Sequence, residues 1–177
     1  MAHLKYLSRK SEKQFLYEVQ LNWLEKDSGL LHAGDVNEAI RVATPPNFGG
    51  EGKDWSPEHL FLSAISSCYM TTFLAFAKKM DFGISRFECN TIGQVDLVDG
   101  KYKFTHINVY PEVYIADESL NEKVTLAMQK TQTYCLIGNS INAIIIYHGE
   151  VFTEANTVHS IDQDEAAIKK QVYGHTG

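Results

Sequence analysis

The 177-residue sequence predicts a mixed α+β chain, in which sheets wrap on a buried central helix. Three observations carry this expectation. Short period-two apolar runs lie near the N-terminus, a long and nearly all-apolar helical run occupies residues 57–80, and two long strand-like segments meet at Asp99-Gly100. Hydrophobic residues make up 44% of the chain, enough to build a core, which argues against disorder. The expected organisation is one domain over residues 1–153 and a polar tail over 154–177, for which a short helix at Asp162 to Val172 and a mobile segment are the two readings.

Each element has its own signal. In Phe15 to Leu24, the residues Phe15, Tyr17, Val19, Leu21 and Trp23 fall on one face of a strand. A polar turn at Glu25 to Gly29 leads to a short strand near Leu30 to Ala33, and Ile40 to Ala43 reads as a third. Thr44 to Trp55 is a loop, dense in Pro and Gly. Ser56-Pro57-Glu58 then starts the helix, with a capping Ser, Pro at the first position and an acid in the first turn. Lys78, Lys79 and Gly83 are the closing signals. Ser85 to Val98 and Lys101 to Tyr114 form a hairpin, with Pro111 expected at an edge or bulge. An amphipathic helix follows at Asp117 to Thr133, then a short helix opened by Cys135, then a last strand within Ile141 to Phe152.

Net charge is −6, and no basic block or basic-aromatic stripe occurs. This argues against nucleic acid and against an anionic membrane surface as partners. The N-terminal residues lack the apolar run of a signal peptide, and the longest apolar stretch noted, Ala143 to Tyr147, is strand-sized. The expected location is the cytoplasm, where thiols are kept reduced. Cys68, Cys89 and Cys135 are then either buried bystanders or include two that form a transient catalytic bond. Cys135 at a helix start is placed to hold a thiolate. No metal or other cofactor is expected, because the cysteines are isolated and His59, His106 and His148 show no paired spacing. Glu58 lies ten positions before Cys68, roughly 15 Å along a helix axis. If both serve one site, a second chain must complete it.

The segments Thr44-Pro45-Pro46-Asn47-Phe48-Gly49-Gly50, Trp55-Ser56-Pro57-Glu58-His59-Leu60-Phe61, Ser66-Ser67-Cys68 and Cys135-Leu136-Ile137-Gly138-Asn139-Ser140 resemble the OsmC/Ohr family of osmotically inducible and organic hydroperoxide resistance proteins. The resemblance implies an intertwined homodimer with sites at the interface. It also implies a hydroperoxide substrate, Cys68 as peroxidatic cysteine, Cys135 as resolving cysteine and an external dithiol reductant. Glu58 from the partner chain would orient a cation beside the thiol. The family draws that cation from an arginine in the first hairpin turn, whereas this chain has Lys26 there, with Arg41 in the third strand as an unexpected supplier. Phe61, Ile65 and Tyr69, with Thr72, are the expected pocket residues around Cys68, and Cys89 is read as a bystander. The competing readings are a non-catalytic small-molecule or lipid-binding protein of the same fold, and a thiol-disulfide stress-response protein with a protein partner.

Overall fold

The computed structural model describes residues 13–34 and 36–154, and the expected tail from residue 155 onward lies outside them. The chain divides into two compact units, the first ending at Pro57 and the second beginning at Glu58.

The first unit is a three-stranded antiparallel sheet of β1 (Gln20–Glu25), β2 (Ser28–His32) and β3 (Ile40–Ala43), in that order. The strand expected from Phe15 starts five residues later. The last β1–β2 pair is Gln20 with His32, so residues 15–19 find no strand to pair with. Lys26 takes φ 50 in the turn, and its carbonyl accepts a 3.0 Å hydrogen bond from the Trp23 indole. Beyond β3 the loop makes a 3₁₀ turn at Pro46–Phe48, ended by Gly49 at φ 94, a conformation that favours glycine. Gly50 is there for space, since a Cβ on it would sit 1.6 Å from the Thr44 carbonyl oxygen.

All of α1 (Pro57–Lys79) but its first residue belongs to the second unit. Its buried residues are Ile65, Tyr69, Phe73 and Ala77, a single i, i+4 stripe. The expectation of a helix buried all round is therefore corrected: Met70 and Leu74 are 36% and 41% exposed. The reading that no segment reaches membrane length is also corrected, because α1 has 23 residues and a mean hydropathy of 1.6, enough to span by length and composition. Its stripe instead packs into the core of this unit. Asp81, at φ 54, supplies the left-handed residue after α1 in place of the expected Gly83.

The remaining strands are β4 (Arg86–Val98), β5 (Lys101–Ile115), β6 (Ile144–Tyr147) and β7 (Glu150–Thr153), and the helices are α2 (Asn121–Tyr134) and α3 (Leu136–Asn139). β4 and β5 are antiparallel, joined by Asp99 at φ 51 and Gly100 at φ 74, as a tight hairpin requires. The sheet is mixed rather than purely antiparallel, since β6 and β7 both run parallel to β5. The single expected last strand is broken at His148-Gly149 into two.

Pro111 lies in the sheet's central strand, neither at an edge nor at the bulge, which falls at Gln94/Val95. β6 pairing ends at Val109 and β7 pairing resumes at Glu112, so the proline occupies the seam where a ladder donor is dispensable. Two core clusters result. One joins Tyr69 and Phe73 to Val113, Ile115, Val124, Ala127 and Met128, and the other joins Ile65 to Ile107 and Val109.

Candidate redox site

The second unit brings Cys68 and Cys135 together. Cys68 is half-buried in the middle of α1, and Cys135 is fully buried at the N-cap of α3. Cys135 leaves α2 in extended conformation (φ −62, ψ 111), so the chain turns back toward α1 before α3 begins. The first turn of α3 divides its amide donors between the two sulfurs. Ile137 N–H donates to Cys68 Sγ at 3.4 Å, and Gly138 N–H donates to Cys135 Sγ at 3.5 Å.

Burial pushes the Cys68 thiol up, but donors from the Ile137 amide, the Cys135 thiol, the Thr72 hydroxyl and the Leu136 amide together hold it below its ordinary value. Cys135 goes the other way. Burial, together with the charge and hydrogen bond of Cys68, outweighs the Gly138 amide and pushes it up to about 11. Of the two thiols, Cys68 is therefore the one that gives up its proton first, and Cys135 the one that keeps it. A thiolate is the nucleophilic form of cysteine, so of the two Cys68 is the more easily activated.

Tyr147 borders this pair. A Cβ on Gly138 would lie 2.9 Å from the Tyr147 hydroxyl and 3.5 Å from Cys135 Sγ, so the glycine leaves room for both. Burial, then the neighbouring cysteines, push the Tyr147 phenol up to about 12, which keeps it neutral. Cys89 faces the same interior from β4. Burial pushes its thiol up against the hydroxyls of Thr91 and Ser66, which makes it the less reactive kind of cysteine.

The other sequence-derived candidates are placed differently. Ile65 and Tyr69 are fully buried core residues, and Phe61 stacks on Phe104 at 4.7 Å. None of the three lines the cavity that opens beside Thr72, whose walls come from α1 and α2 further along. Ile65 and Tyr69, on the inner stripe of α1, pack into the core of this unit. Glu58 is half-buried, and its Oε2 has no hydrogen-bond partner among the described residues. In the first unit, Lys26 and Arg41 line one polar cavity; Arg41 is tied to Asp54 at 3.1 Å, while Lys26 makes no ion pair among the described residues. No group of three or more His, Cys, Asp or Glu side chains suited to a metal occurs among the described residues. The amides of Ile137 and Gly138 escaped sequence reasoning because backbone donors carry no residue signal; only the short helix after Cys135 hinted at them.

A dithiol with one activated member, mounted on this order of helix and strands, defines a class of redox-capable α+β proteins. The chain belongs to the OsmC-like protein family, whose model matches residues 50–148, from the Gly-Gly loop through both cysteines. It is 22% identical over 130 residues to the uncharacterized protein YmaD of Bacillus subtilis, covering 71% of this chain and 85% of that one. An OsmC-like protein of unknown function from Vibrio cholerae superposes with a TM-score of 0.69 at 19% identity, covering 77% of this chain and 99% of that one. An organic hydroperoxide resistance protein OsmC from Legionella pneumophila superposes with a TM-score of 0.61 at 18% identity, covering 80% and 99%.

Proposed function

We propose that the protein is a cytoplasmic thiol peroxidase that reduces organic hydroperoxides. The observation that carries this reading is the seating of Cys68 and Cys135 on adjacent amides of α3, Ile137 N–H on one sulfur and Gly138 N–H on the other, with the Cys68 thiol lowered and the Cys135 thiol raised. The Cys68 thiolate attacks the terminal oxygen of R–O–OH. The S–O bond forms as the O–O bond breaks, and the alkoxide leaves as R–OH after taking a proton. Cys135 then attacks the Cys68 sulfenic acid, forming the disulfide and releasing the hydroxide, with the Cys135 proton, as water. An external dithiol supplies two electrons and two protons to restore the pair. The organic hydroperoxide resistance protein of Legionella pneumophila shares the fold and lends support to this substrate class.

Mass mapping of thiols after one equivalent of cumene hydroperoxide is expected to show two thiols lost and a Cys68–Cys135 link, with Cys89 free. Thiols that stay free would sink the reading.

The reading treats both units as parts of one OsmC-like domain that works as a homodimer. Residues uncovered in the single chain support this: Leu97 is 63% exposed, Ile92 is 53% exposed, and Met70 and Leu74 lie open on α1. Glu58 cannot reach Cys68 along its own helix, so the second copy would bring it, with Lys26 as the cation it orients. Sedimentation equilibrium is expected to give twice the 20.0 kDa chain mass at micromolar concentration. A monomer would remove Glu58 from the site. One observation favours the non-catalytic binding alternative: the hairpin has Lys26 rather than arginine, and Arg41 is engaged by Asp54. Peroxide-inert thiols with bound apolar ligand would select it.

A further inference from the structure

Two phenols border Cys135 from the core side. Tyr69, on the inner stripe of α1, is fully buried, and its hydroxyl has no hydrogen-bond partner among the described residues. The Gln132 side chain lies beside it without hydrogen-bond geometry. A buried phenol usually finds a partner, and an unmet donor costs stability, so this hydroxyl calls for a use in another state of the protein. The ring packs with Val124, Ala127 and Met128 of α2. Cys135 follows at the end of that helix, its amide donating to the Thr131 carbonyl at 2.9 Å. Tyr147, on β6, packs against both core clusters, with its ring centroid 5.5 Å from that of Tyr69. Its hydroxyl and the Cys135 sulfur face one small gap, because a Cβ on Gly138 would lie 2.9 Å from the oxygen and 3.5 Å from the sulfur. The two phenols and Cys135 therefore meet where the two clusters join.

Burial first, then the neighbouring cysteines, push both phenols up, Tyr147 to about 12, above Cys135 at about 11. Cys135 is thus the first of the three to ionise, and the phenols are still neutral donors when it does. A thiolate accepts several hydrogen bonds, and the Gly138 amide at 3.5 Å supplies one. Cys89, the other sulfur near Tyr69, already has the Thr91 hydroxyl at 3.9 Å. We infer that Tyr147 and Tyr69 form a donor relay for the Cys135 thiolate, Tyr147 donating to the sulfur and Tyr69 to the Tyr147 oxygen. Both are positioning residues, acting through Cys135. The inference rests on the proposed peroxidase reading for the step it serves, closure of the disulfide. In that step the S–S bond forms as the S–O bond of the Cys68 sulfenic acid breaks, and the hydroxide leaves with the Cys135 proton as water. The phenols neither gain nor lose a proton; they hold the charge on the attacking sulfur.

The test uses Tyr147→Phe and Tyr69→Phe in the full chain, since each keeps its ring and loses only the hydroxyl. Iodoacetamide labelling mapped by mass spectrometry is expected to show Cys135 labelled about tenfold more slowly in Tyr147→Phe at about pH 10, the scale of one hydrogen bond to a charged group. Tyr69→Phe should slow it less, and neither change should move the Cys68 rate. After cumene hydroperoxide, Cys68 sulfenic acid trapped by dimedone should accumulate in Tyr147→Phe, where the wild type closes the disulfide. The urea midpoint of reduced Tyr69→Phe should equal or exceed that of the wild type, because no hydrogen bond is lost with the hydroxyl. A lower midpoint would make that phenol a structural donor and overturn the relay. Cys135 labelling unchanged by Tyr147→Phe, or Cys135 and Cys68 slowed together, would overturn it as well. The two readings fail separately. If Cys135 labelling slows as expected but Cys68 is inert to peroxide, the peroxidase reading alone is lost. If peroxide closes the disulfide in Tyr147→Phe as fast as in the wild type and Cys135 labelling is unmoved, the phenol relay alone is lost.

Discussion

Replacing Cys68 by serine is expected to cut peroxide-driven thiol loss by about 10³-fold or more, the usual consequence of removing a nucleophile. Cys135→Ser should spare the first oxidation and halt the protein at the Cys68 sulfenic acid, trapped by dimedone. The asymmetry follows from the opposite directions in which the two thiols are shifted. Against its burial, Cys68 accepts the Ile137 amide at 3.4 Å, and its polar surroundings hold the thiol below its ordinary value. Cys135, pushed up to about 11, stays a thiol at neutral pH.

The sign of the pH dependence is fixed by this. Thiolate is the reactive form and grows as pH rises, so a thiol held below its ordinary value reaches half-ionisation earlier. Iodoacetamide labelling followed by mass spectrometry should show the Cys68 rate levelling off below pH 9, while the Cys135 rate climbs toward about pH 11. Cys135 labelling first at neutral pH would reverse the assignment of roles.

Phe73→Ala is expected to destabilise the protein by about 3–5 kcal/mol, the range for truncating a buried phenylalanine. Phe73 is fully buried, with its ring centroid 5.6 Å from that of Phe87 and 6.2 Å from that of Phe82. It belongs to the cluster that fastens α1 to β5 and α2. The cavity left behind cannot refill, because Val113, Val124 and Ala127 around it are held by separate elements. The urea midpoint should fall with little change in slope. Lys78→Ala, at an exposed position five residues further along α1, is the control and should stay within about 0.5 kcal/mol. A Phe73→Ala loss no larger than that of the control would mean the cluster does not anchor α1.

Much of this architecture was legible in local chemistry. Ser56-Pro57-Glu58 marked the start of α1, and Asp99-Gly100 demanded the hairpin. Cys135 does open a short helix. Partner choice was illegible. Pro111 reads as an edge residue unless it is known that two short strands meet beside it, and that depends on residues 144–153. The one-sided burial of α1 was hidden because apolar residues cover its whole circumference, and composition cannot separate a core face from a face left open to a partner. For the candidate site, the cysteines stood out as residue types. The cleft between α1 and α2 did not, since its walls are largely Thr, Lys and aromatic residues that read as surface.

The parallel seating of β6 and β7 has a consequence for the order of assembly. β5 is the middle strand, yet its second neighbours arrive only after α2 and α3 have been made. Until Thr153 has left the ribosome, the stretch from His106 to Ile115 presents an unpaired edge rich in valine and isoleucine. Such an edge can recruit strands from other nascent chains. Rapid formation of α2, whose Val124, Ala127 and Met128 pack on the same core, would shelter the face of that strand while its edge waits.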